Sequence, residues 1–181
     1  MLAHMRAGSI ADVLGALNAG GVRYLVVGGL AVVAHGYVRA TKDVDLVVQL
    51  EPENTLRAAR ALGELGYRPV VPVALEEFAD AAKRREWIEQ KHAVVLQLYG
   101  ARDPLARVDL FLAEPFDFDQ AYAEAEPIEV APAVVASFVG LERLLSMKRA
   151  AGRPQDLTDI AELEALRRYR DCGNSSPTSG S

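Results

Sequence analysis

The sequence lacks several features that mark particular classes of protein. It holds a single cysteine, Cys172, among 181 residues, which excludes an intramolecular disulfide and a thiolate metal cluster and indicates a reducing compartment. No apolar run approaches the ~20 residues of a membrane-spanning helix, and residues 1–8 lack the apolar core of a signal peptide. We therefore expect a cytoplasmic protein that has no membrane partner.

An excess of positive charge is also missing. The chain carries 20 Lys and Arg against 25 Asp and Glu, for a net charge of −5 and a pI near 5.3. Attraction of the whole molecule to nucleic acid is therefore not predicted, although a local basic patch remains open. The three histidines and one cysteine form no recognisable Ser/His/Asp or Cys/His arrangement.

What is present is enough apolar sequence for one globular domain, since half of the residues are hydrophobic. Apolar spacing and glycine or proline boundaries predict an alternation of helices and strands in the first part of the chain. The predicted elements are a helix at Ile10–Asn18, a strand at Tyr24–Val27, a short helix at Leu30–His35, a strand at Asp43–Leu50 and a helix at Glu51–Leu65. This order predicts an α/β (α+β) fold with a small mixed sheet and flanking helices.

The rest of the chain extends this architecture. The predicted elements are an extended edge at Tyr67–Val73, a charged helix at Leu75–Gln90, a hairpin of strands Ala93–Tyr99 and Arg107–Leu112 around a turn at Gly100–Pro104, an acidic connection at Pro115–Glu126, a strand at Ile128–Val130, a helix from a Ser137 cap to Ala151, and a helix at Pro154–Arg168. We expect a core at residues 1–130, a helical segment at 131–170 that packs on it, and a disordered tail at 171–181.

Three aspartates suggest a metal site. Asp43 and Asp45 point to the same face of their strand, because side chains alternate along a strand. Asp109 lies in an apolar VDLF run, where an unpaired carboxylate would be costly to bury. If the two strands are neighbours, the three acids meet and suit one or two Mg²⁺ or Mn²⁺ ions. The alternative is structural: Asp43 caps a loop, Asp45 faces water, and Asp109 pairs with Arg107 or another basic residue.

A glycine pair lies between the first strand and the short helix. Gly28 and Gly29 could turn backbone N–H groups toward an anion such as a triphosphate, although a tight turn explains the pair about as well. Thirteen residues separate Gly29 from Asp43. The combined order of strand, Gly-Gly and paired acids is more informative than either feature alone.

This order resembles the nucleotidyltransferase superfamily related to DNA polymerase beta. The superfamily signature is a Gly-Gly or Gly-Ser pair, a short helix and loop, two acids that alternate with hydrophobic residues, and a third acid on a later strand. Here the matching residues are Gly28, Gly29, Asp43, Asp45 and Asp109, over roughly residues 8–115. GGLAVVAHGYVRATKDVDLVV looks like the bacterial group that contains AbiEii-type toxins, and LLSMKRAAGRPQDLTDIAEL looks like the C-terminal segment of that group.

Several cations are candidates for contact with an NTP. Lys148, near the end of its helix, and Arg153, just after Gly152, could reach a triphosphate, or could simply be well placed at a helix C-terminus. Asp156 is a candidate cap, and Asp159 a candidate to orient Arg153.

The loop before the first two acids is also polar. Arg39, Thr41 and Lys42 could contact phosphate or hold the loop in place, and the sequence does not separate these roles.

The resemblance implies a transferase that uses Mg²⁺ or Mn²⁺ and moves a nucleoside monophosphate from an NTP to an acceptor. The AbiEii-type group implies RNA, such as a tRNA end, with a cognate antitoxin as partner. The alternative acceptor is an aminoglycoside or lincosamide antibiotic. An RNA substrate predicts a basic surface near the acids, and an antibiotic predicts a smaller, acid-lined pocket. The competing class is a non-catalytic binding or regulatory module of the same fold.

Overall fold

The centre of the fold is a mixed β-sheet. In a computed structural model that describes residues 7–41, 43–100 and 107–173, seven strands in those ranges form one sheet in the order β3-β4-β5-β2-β1-β7-β6. The strands are β1 (Tyr24–Val27), β2 (Asp43–Val48), β3 (Tyr67–Pro69), β4 (Val95–Gly100), β5 (Arg107–Phe111), β6 (Glu126–Ala131) and β7 (Val134–Phe138). β2 pairs with β5 and β1 with β7 in parallel, and the other neighbours are antiparallel.

Helices cover this sheet and continue the chain beyond it. They are α1 (Ala7–Ala19), α2 (Gly28–Ala34), α3 (Pro52–Glu64), α4 (Ala81–Lys91), α5 (Phe118–Ala123), α6 (Leu141–Ala151) and α7 (Pro154–Gly173), with a 3-10 helix at Leu75–Ala79. Within the described ranges, none of them combines the length and the apolar character that crossing a bilayer requires.

Burial along the strands shows which part of the sheet is open. All four residues of β1 are buried, so this central strand is covered on both faces. β2 and β5 instead alternate between buried apolar residues, such as Val44 and Val108, and partly exposed polar ones, such as Asp45 and Asp109. The alternation leaves one face of β2 and β5 accessible from outside the core.

Local signals position several helices as expected. Pro52 lies in the first turn of α3, where the Glu51 carboxylate accepts the Asn54 N–H. Gly152 ends α6 in the left-handed conformation (φ +63°) and donates its N–H to the Lys148 carbonyl. The predicted hairpin is confirmed as the antiparallel pair β4 and β5, whereas the turn predicted at Gly100–Pro104 falls largely outside the described residues.

The prediction that Ser137 caps the helix before Gly152 is wrong. Ser137 lies in β7, opposite Pro127 of β6, and α6 begins only at Leu141, after Gly140. The reason is tertiary pairing: β7 fills the position beside β1, and Val26 is in register with Phe138. The sheet therefore continues past residue 130, and the division of the chain at that residue remains a prediction.

Three other boundaries differ from expectation. The charged segment after Ala74 is not one helix, because Asp80 ends the 3-10 helix and its carboxylate accepts the first N–H groups of α4. The acidic connection contains α5, which begins after the capping side chain of Asp117. α7 continues to Gly173, so the predicted tail starts later than residue 171, and residues 174–181 lie outside the described ranges.

Candidate active site

The three aspartates meet on the open face of the sheet. β2 and β5 are parallel neighbours, and their register places Asp45 beside Asp109 and Asp43 beside Arg107. All three carboxyl groups are on partly exposed residues. The expected pairing of the two strands is therefore confirmed. Because residues in register point to the same face, the three acids lie on one face of this pair.

The environment of Asp45 and Asp109 disfavours the charged form of both carboxyl groups. Burial, with the nearby charge of Asp109, raises the pKa of Asp45 to about 6, against the lowering effects of the Gly29 N–H and the charge of Arg153. Burial also raises the pKa of Asp109, which the charge of Asp43 raises further and a hydrogen bond from Gln97 opposes. The site therefore carries more negative charge than its protein neighbours compensate.

This electrostatic imbalance bears on metal binding. Carboxylate oxygens are the donors that Mg²⁺ prefers, and this ion is usually held by one or two carboxylates together with substrate phosphates. Within residues 7–41, 43–100 and 107–173, no three His, Cys, Asp or Glu side chains are grouped as around a bound metal ion. The adjacent carboxylates of Asp45 and Asp109 fit the type of site in which substrate phosphates complete the coordination of the ion.

Both glycines are required by the side chains that pack on them. They form the first turn of α2 rather than a separate loop. A Cβ at Gly28, whose φ is +63°, would lie 1.9 Å from Asp45 Oδ2, and one at Gly29 would lie 2.3 Å from Thr41 Oγ1. The Gly29 N–H donates to Asp45 Oδ2 at 3.4 Å. The sequence Gly-Gly therefore lets Asp45 and Thr41 approach the backbone of α2 closely.

Arg39 lies beside this glycine pair and is held by α7. Its Nε is 2.8 Å from Asp159 Oδ1, and its Nη2 donates to Asp159 Oδ2 at 3.0 Å. The same Nη2 would be 3.2 Å from a Cβ at Gly29. The guanidinium is therefore fixed by a two-point ion pair next to the turn that contacts Asp45.

Lys148 does not lie at the surface as its place near a helix end suggests. It is buried, with its ammonium 2.9 Å from Asp156 Oδ1 and 2.7 Å from Asp159 Oδ2. Burial raises the pKa of Asp156, but hydrogen bonds from Arg153 and Lys148 outweigh it and lower this pKa to about 2. The pKa of Asp159 is also lowered, because its hydrogen bonds with Lys148, Gln155 and Arg39 outweigh burial.

Arg153 is the most exposed cation of this group. Its side chain is 73% exposed, and its Nε donates to Asp156 Oδ2 at 2.7 Å. The expectation that Asp159 orients Arg153 is corrected by these contacts, since Asp156 holds Arg153 and Asp159 holds Arg39. The charge of Arg153 lowers the pKa of Asp45, and the charge of Asp45 raises the pKa of Arg153, so the two groups interact electrostatically.

The structure adds two residues that sequence reasoning did not assign to the site. Gln97 of β4 is in register with Asp109 and donates to its Oδ1 at 3.2 Å. Arg107 of β5 is exposed and is in register with Asp43 of β2 on one side and with Tyr99 of β4 on the other. The sequence signal for Gln97 is its position as a polar residue inside the apolar run VVLQLY, but its partner Asp109 lies on another strand. Lys42, a candidate for phosphate contact, lies outside the described residues.

Comparisons with known proteins test the fold. Neither protein-family models nor curated proteins match the chain. A solved structure that it resembles is the antibiotic-resistance factor ANT(2'')-Ia, with a TM-score of 0.52, 17% sequence identity, and coverage of 93% of this chain and 94% of the other. The narrower resemblance to AbiEii-type toxins gains no support from these comparisons and stays a prediction. The chain thus has a mixed α/β, nucleotidyltransferase-like fold.

Proposed function

We propose that this protein is a metal-dependent nucleotidyltransferase that moves a nucleoside monophosphate from an NTP to an acceptor hydroxyl. The observation that carries the proposal is the register of β2 and β5, which brings Asp43, Asp45 and Asp109 to one open face beside Gly28 and Gly29. The fold likeness to ANT(2'')-Ia agrees with this activity class, and its low identity leaves the residues to carry the chemical argument.

Asp43, Asp45 and Asp109 would hold Mg²⁺ or Mn²⁺, which when bound neutralises charge on the transferring phosphate. In the reaction the acceptor oxygen bonds to the α-phosphorus while the bond to the bridging oxygen of pyrophosphate breaks. Asp109 would accept the proton of the acceptor hydroxyl, a role that the raised pKa of its buried carboxyl suits. Pyrophosphate leaves with the electron pair of the broken bond.

Basic and polar side chains around Gly29 and Asp45 would bind the phosphates of the NTP. Arg39 and Thr41 lie against Gly29, and the exposed guanidinium of Arg153 lies near Asp45. Lys148 contributes from inside, because its ammonium holds both carboxylates of α7 in place. These cations belong to one charged cluster, which consists of Lys148, Arg39, Arg153, Asp156 and Asp159. Its three cations and two carboxylates leave one net positive charge next to the triphosphate.

The surface next to Asp43 is relevant to the choice of acceptor. Tyr99, which is 39% exposed, is in register with Arg107, and Arg107 with Asp43. An exposed aromatic ring beside a guanidinium suits a base and a phosphate of single-stranded RNA better than a cationic antibiotic. We therefore favour an RNA end, such as that of tRNA, as the acceptor. An antibiotic acceptor is the second candidate, and the likeness to an antibiotic-resistance factor supports it.

Transfer of labelled NTPs tests the activity. The intact protein is incubated with each α-labelled NTP, Mg²⁺, and either total tRNA or a panel of aminoglycosides and lincosamides. We expect label on one acceptor class and its loss in the double variant Asp43→Asn/Asp45→Asn. Asp12→Asn, which changes an exposed acid on α1 in the same way, should retain transfer.

Each outcome decides between the alternatives. NTP binding without transfer to any acceptor would favour a non-catalytic module, and absence of both binding and transfer would exclude the enzyme. Transfer that survives in the Asp43→Asn/Asp45→Asn variant would exclude these acids as the active site. If RNA is the acceptor, Arg107→Ala and Tyr99→Ala should weaken its use without changing the KM for NTP, while Arg60→Ala, at an exposed arginine on α3, should have no effect.

A further inference from the structure

Helix α7 contacts the segment between α2 and β2 at two points. Arg170, near the end of α7, donates through Nη2 to the carbonyl of His35 at 3.0 Å. About three turns closer to the start of α7, Asp159 forms its two-point ion pair with Arg39. Both contacts link residues more than 100 positions apart in the sequence. The segment that leads into Asp43 is therefore fixed from outside by the C-terminal helix.

Asp159 is the central member of the buried group that makes the second contact. Its side chain is fully buried, and it accepts from Arg39, Lys148 and Gln155. Burying several charges is costly, and the ion pairs that result are weak evidence of a purely stabilising role. A buried charged group that fixes the direction of a partly exposed arginine is better explained by a requirement for position.

The direction of Arg39 matters because of what lies next to it. Its Nη2 and Thr41 Oγ1 both pack on Gly29, and the N–H of Gly29 contacts Asp45 Oδ2. A guanidinium that is planar and held at two nitrogens by one carboxylate keeps its remaining donors in a fixed plane. Nη1 donates to the Ala40 carbonyl at 2.9 Å, and Nη2 lies against Gly29, whose N–H contacts Asp45.

We propose that Asp159 is a positioning residue for the nucleotide: from α7 it holds Arg39 and the segment of residues 36–41 against Gly29, where Arg39 meets the NTP phosphates. This inference rests on the proposed function and adds to it that the C-terminal helix sets NTP affinity. Arg170 supports the same segment from its other end.

The test is a double-mutant cycle on NTP affinity. We expect Asp159→Asn to raise the Kd of the Mg²⁺-NTP complex, measured by calorimetry, by about tenfold, which corresponds to one charge-assisted contact. Arg39→Ala should have a similar effect, and the double variant should be no worse than Arg39→Ala alone, because Asp159 acts through Arg39. Glu164→Gln is the matched control, since it changes an acid of α7 that pairs with Arg149.

Two milder variants guard against loss of folding in Asp159→Asn. Arg39→Lys keeps the charge but removes the two-point geometry, and Arg170→Ala leaves the buried cluster unchanged. Each should raise the Kd to a smaller degree with a melting temperature close to that of the intact protein. Equal Kd values for the intact protein and all these variants, or additive effects in the double variant, would overturn the inference.

A measurement without nucleotide separates this inference from the proposed function. Amide hydrogen exchange of residues 37–41 should become faster in Asp159→Asn and in Arg39→Ala, with no further increase in the double variant. If the intact protein binds no NTP but the exchange pattern holds, the proposed function fails while the anchoring by α7 stands. Unchanged hydrogen exchange in both single variants would show that α7 does not anchor this segment.

Discussion

Asp45 and Asp109 lie directly beside each other on neighbouring parallel strands, and burial raises the pKa of both. The charges of Asp109 and Asp43 raise the pKa of Asp45 further, and the charge of Asp43 does the same for the pKa of Asp109. Such an arrangement opposes the stability of the protein at neutral pH, because like charges are held close in a partly buried place. It becomes favourable when a cation is bound between the acids and a phosphate.

The first prediction is that Asp45→Asn stabilises the protein near neutral pH. A carboxyl whose pKa is higher in the folded than in the unfolded protein costs stability when ionised, so the free energy of unfolding rises as the pH falls through about 6. Removing the charge should increase the free energy of unfolding at about pH 7.5 by up to ~3 kcal/mol. The gain should disappear below about pH 4, the ordinary pKa range of Asp.

Thermal unfolding of both proteins as a function of pH checks this prediction. Asp12→Asn is the control, since it removes an exposed acid from α1 and should change the melting temperature little. A melting temperature of Asp45→Asn that is lower than that of the intact protein at neutral pH would contradict the assigned electrostatics.

The second prediction concerns the pH dependence of metal binding. Protons and Mg²⁺ compete for the Asp45 carboxylate, so Mg²⁺ should bind more tightly above a pKa of about 6 than below it. We expect millimolar Mg²⁺ to raise the melting temperature at about pH 8 and to have little effect at about pH 5. Comparison with EDTA provides the baseline, and the effect should vanish in Asp45→Asn. The same shift at both pH values would argue against Asp45 as a ligand.

The third prediction separates backbone strain from crowding at Gly28. Gly21 and Gly28 share a φ of +63°, but a Cβ at Gly21 meets nothing within 4 Å, whereas one at Gly28 would overlap Asp45. Gly21→Ala should cost about 1–2 kcal/mol from the left-handed conformation alone. Gly28→Ala should cost clearly more, because Asp45 must also move.

Chemical unfolding of the two glycine variants measures this difference directly. Gly28→Ala should also lose the Mg²⁺ effect on the melting temperature, since the Asp45 carboxylate is displaced, whereas Gly21→Ala should keep it. Equal costs for the two substitutions would mean that Asp45 does not pack on Gly28.

The parts of the fold that local sequence determines were predicted correctly. A short apolar run bounded by glycines predicted β1, and the apolar run that follows Asp43 and Asp45 predicted β2. Alternation along β2 placed the two acids on one face. The cost of burying a lone carboxylate also singled out Asp109, whose strand is the neighbour of β2. In each case the relevant physical signal lies within a few residues of the chain.

The caps of Asp80 and Asp117 are local signals that were missed, but other failures depend on partners far away in the sequence. The strand β7 was missed because its position beside β1 is a tertiary pairing. The burial of Lys148 could not be anticipated, since a lysine near a helix end normally reaches solvent. The pairing of Arg39 with Asp159 spans 120 positions, and no local pattern connects them. Long-range ion pairs are therefore the feature of this site that only the structure supplies.

The last prediction concerns Lys148, which we expect to be mainly structural. Lys148→Met leaves Asp156 and Asp159 buried without its ammonium, and breaking such a buried pair typically costs about 3–5 kcal/mol. Asp156, with its pKa lowered to about 2, contributes stability that is present above its unfolded pKa of 3.8 and is lost as the pH falls toward 2; the variant should lose much of this pH dependence. Arg149→Met, at a half-exposed cation of α6 that pairs with Glu164, should cost less than about 1 kcal/mol. Urea unfolding at several pH values measures both, and a Lys148→Met variant as stable as the intact protein would contradict this structural role.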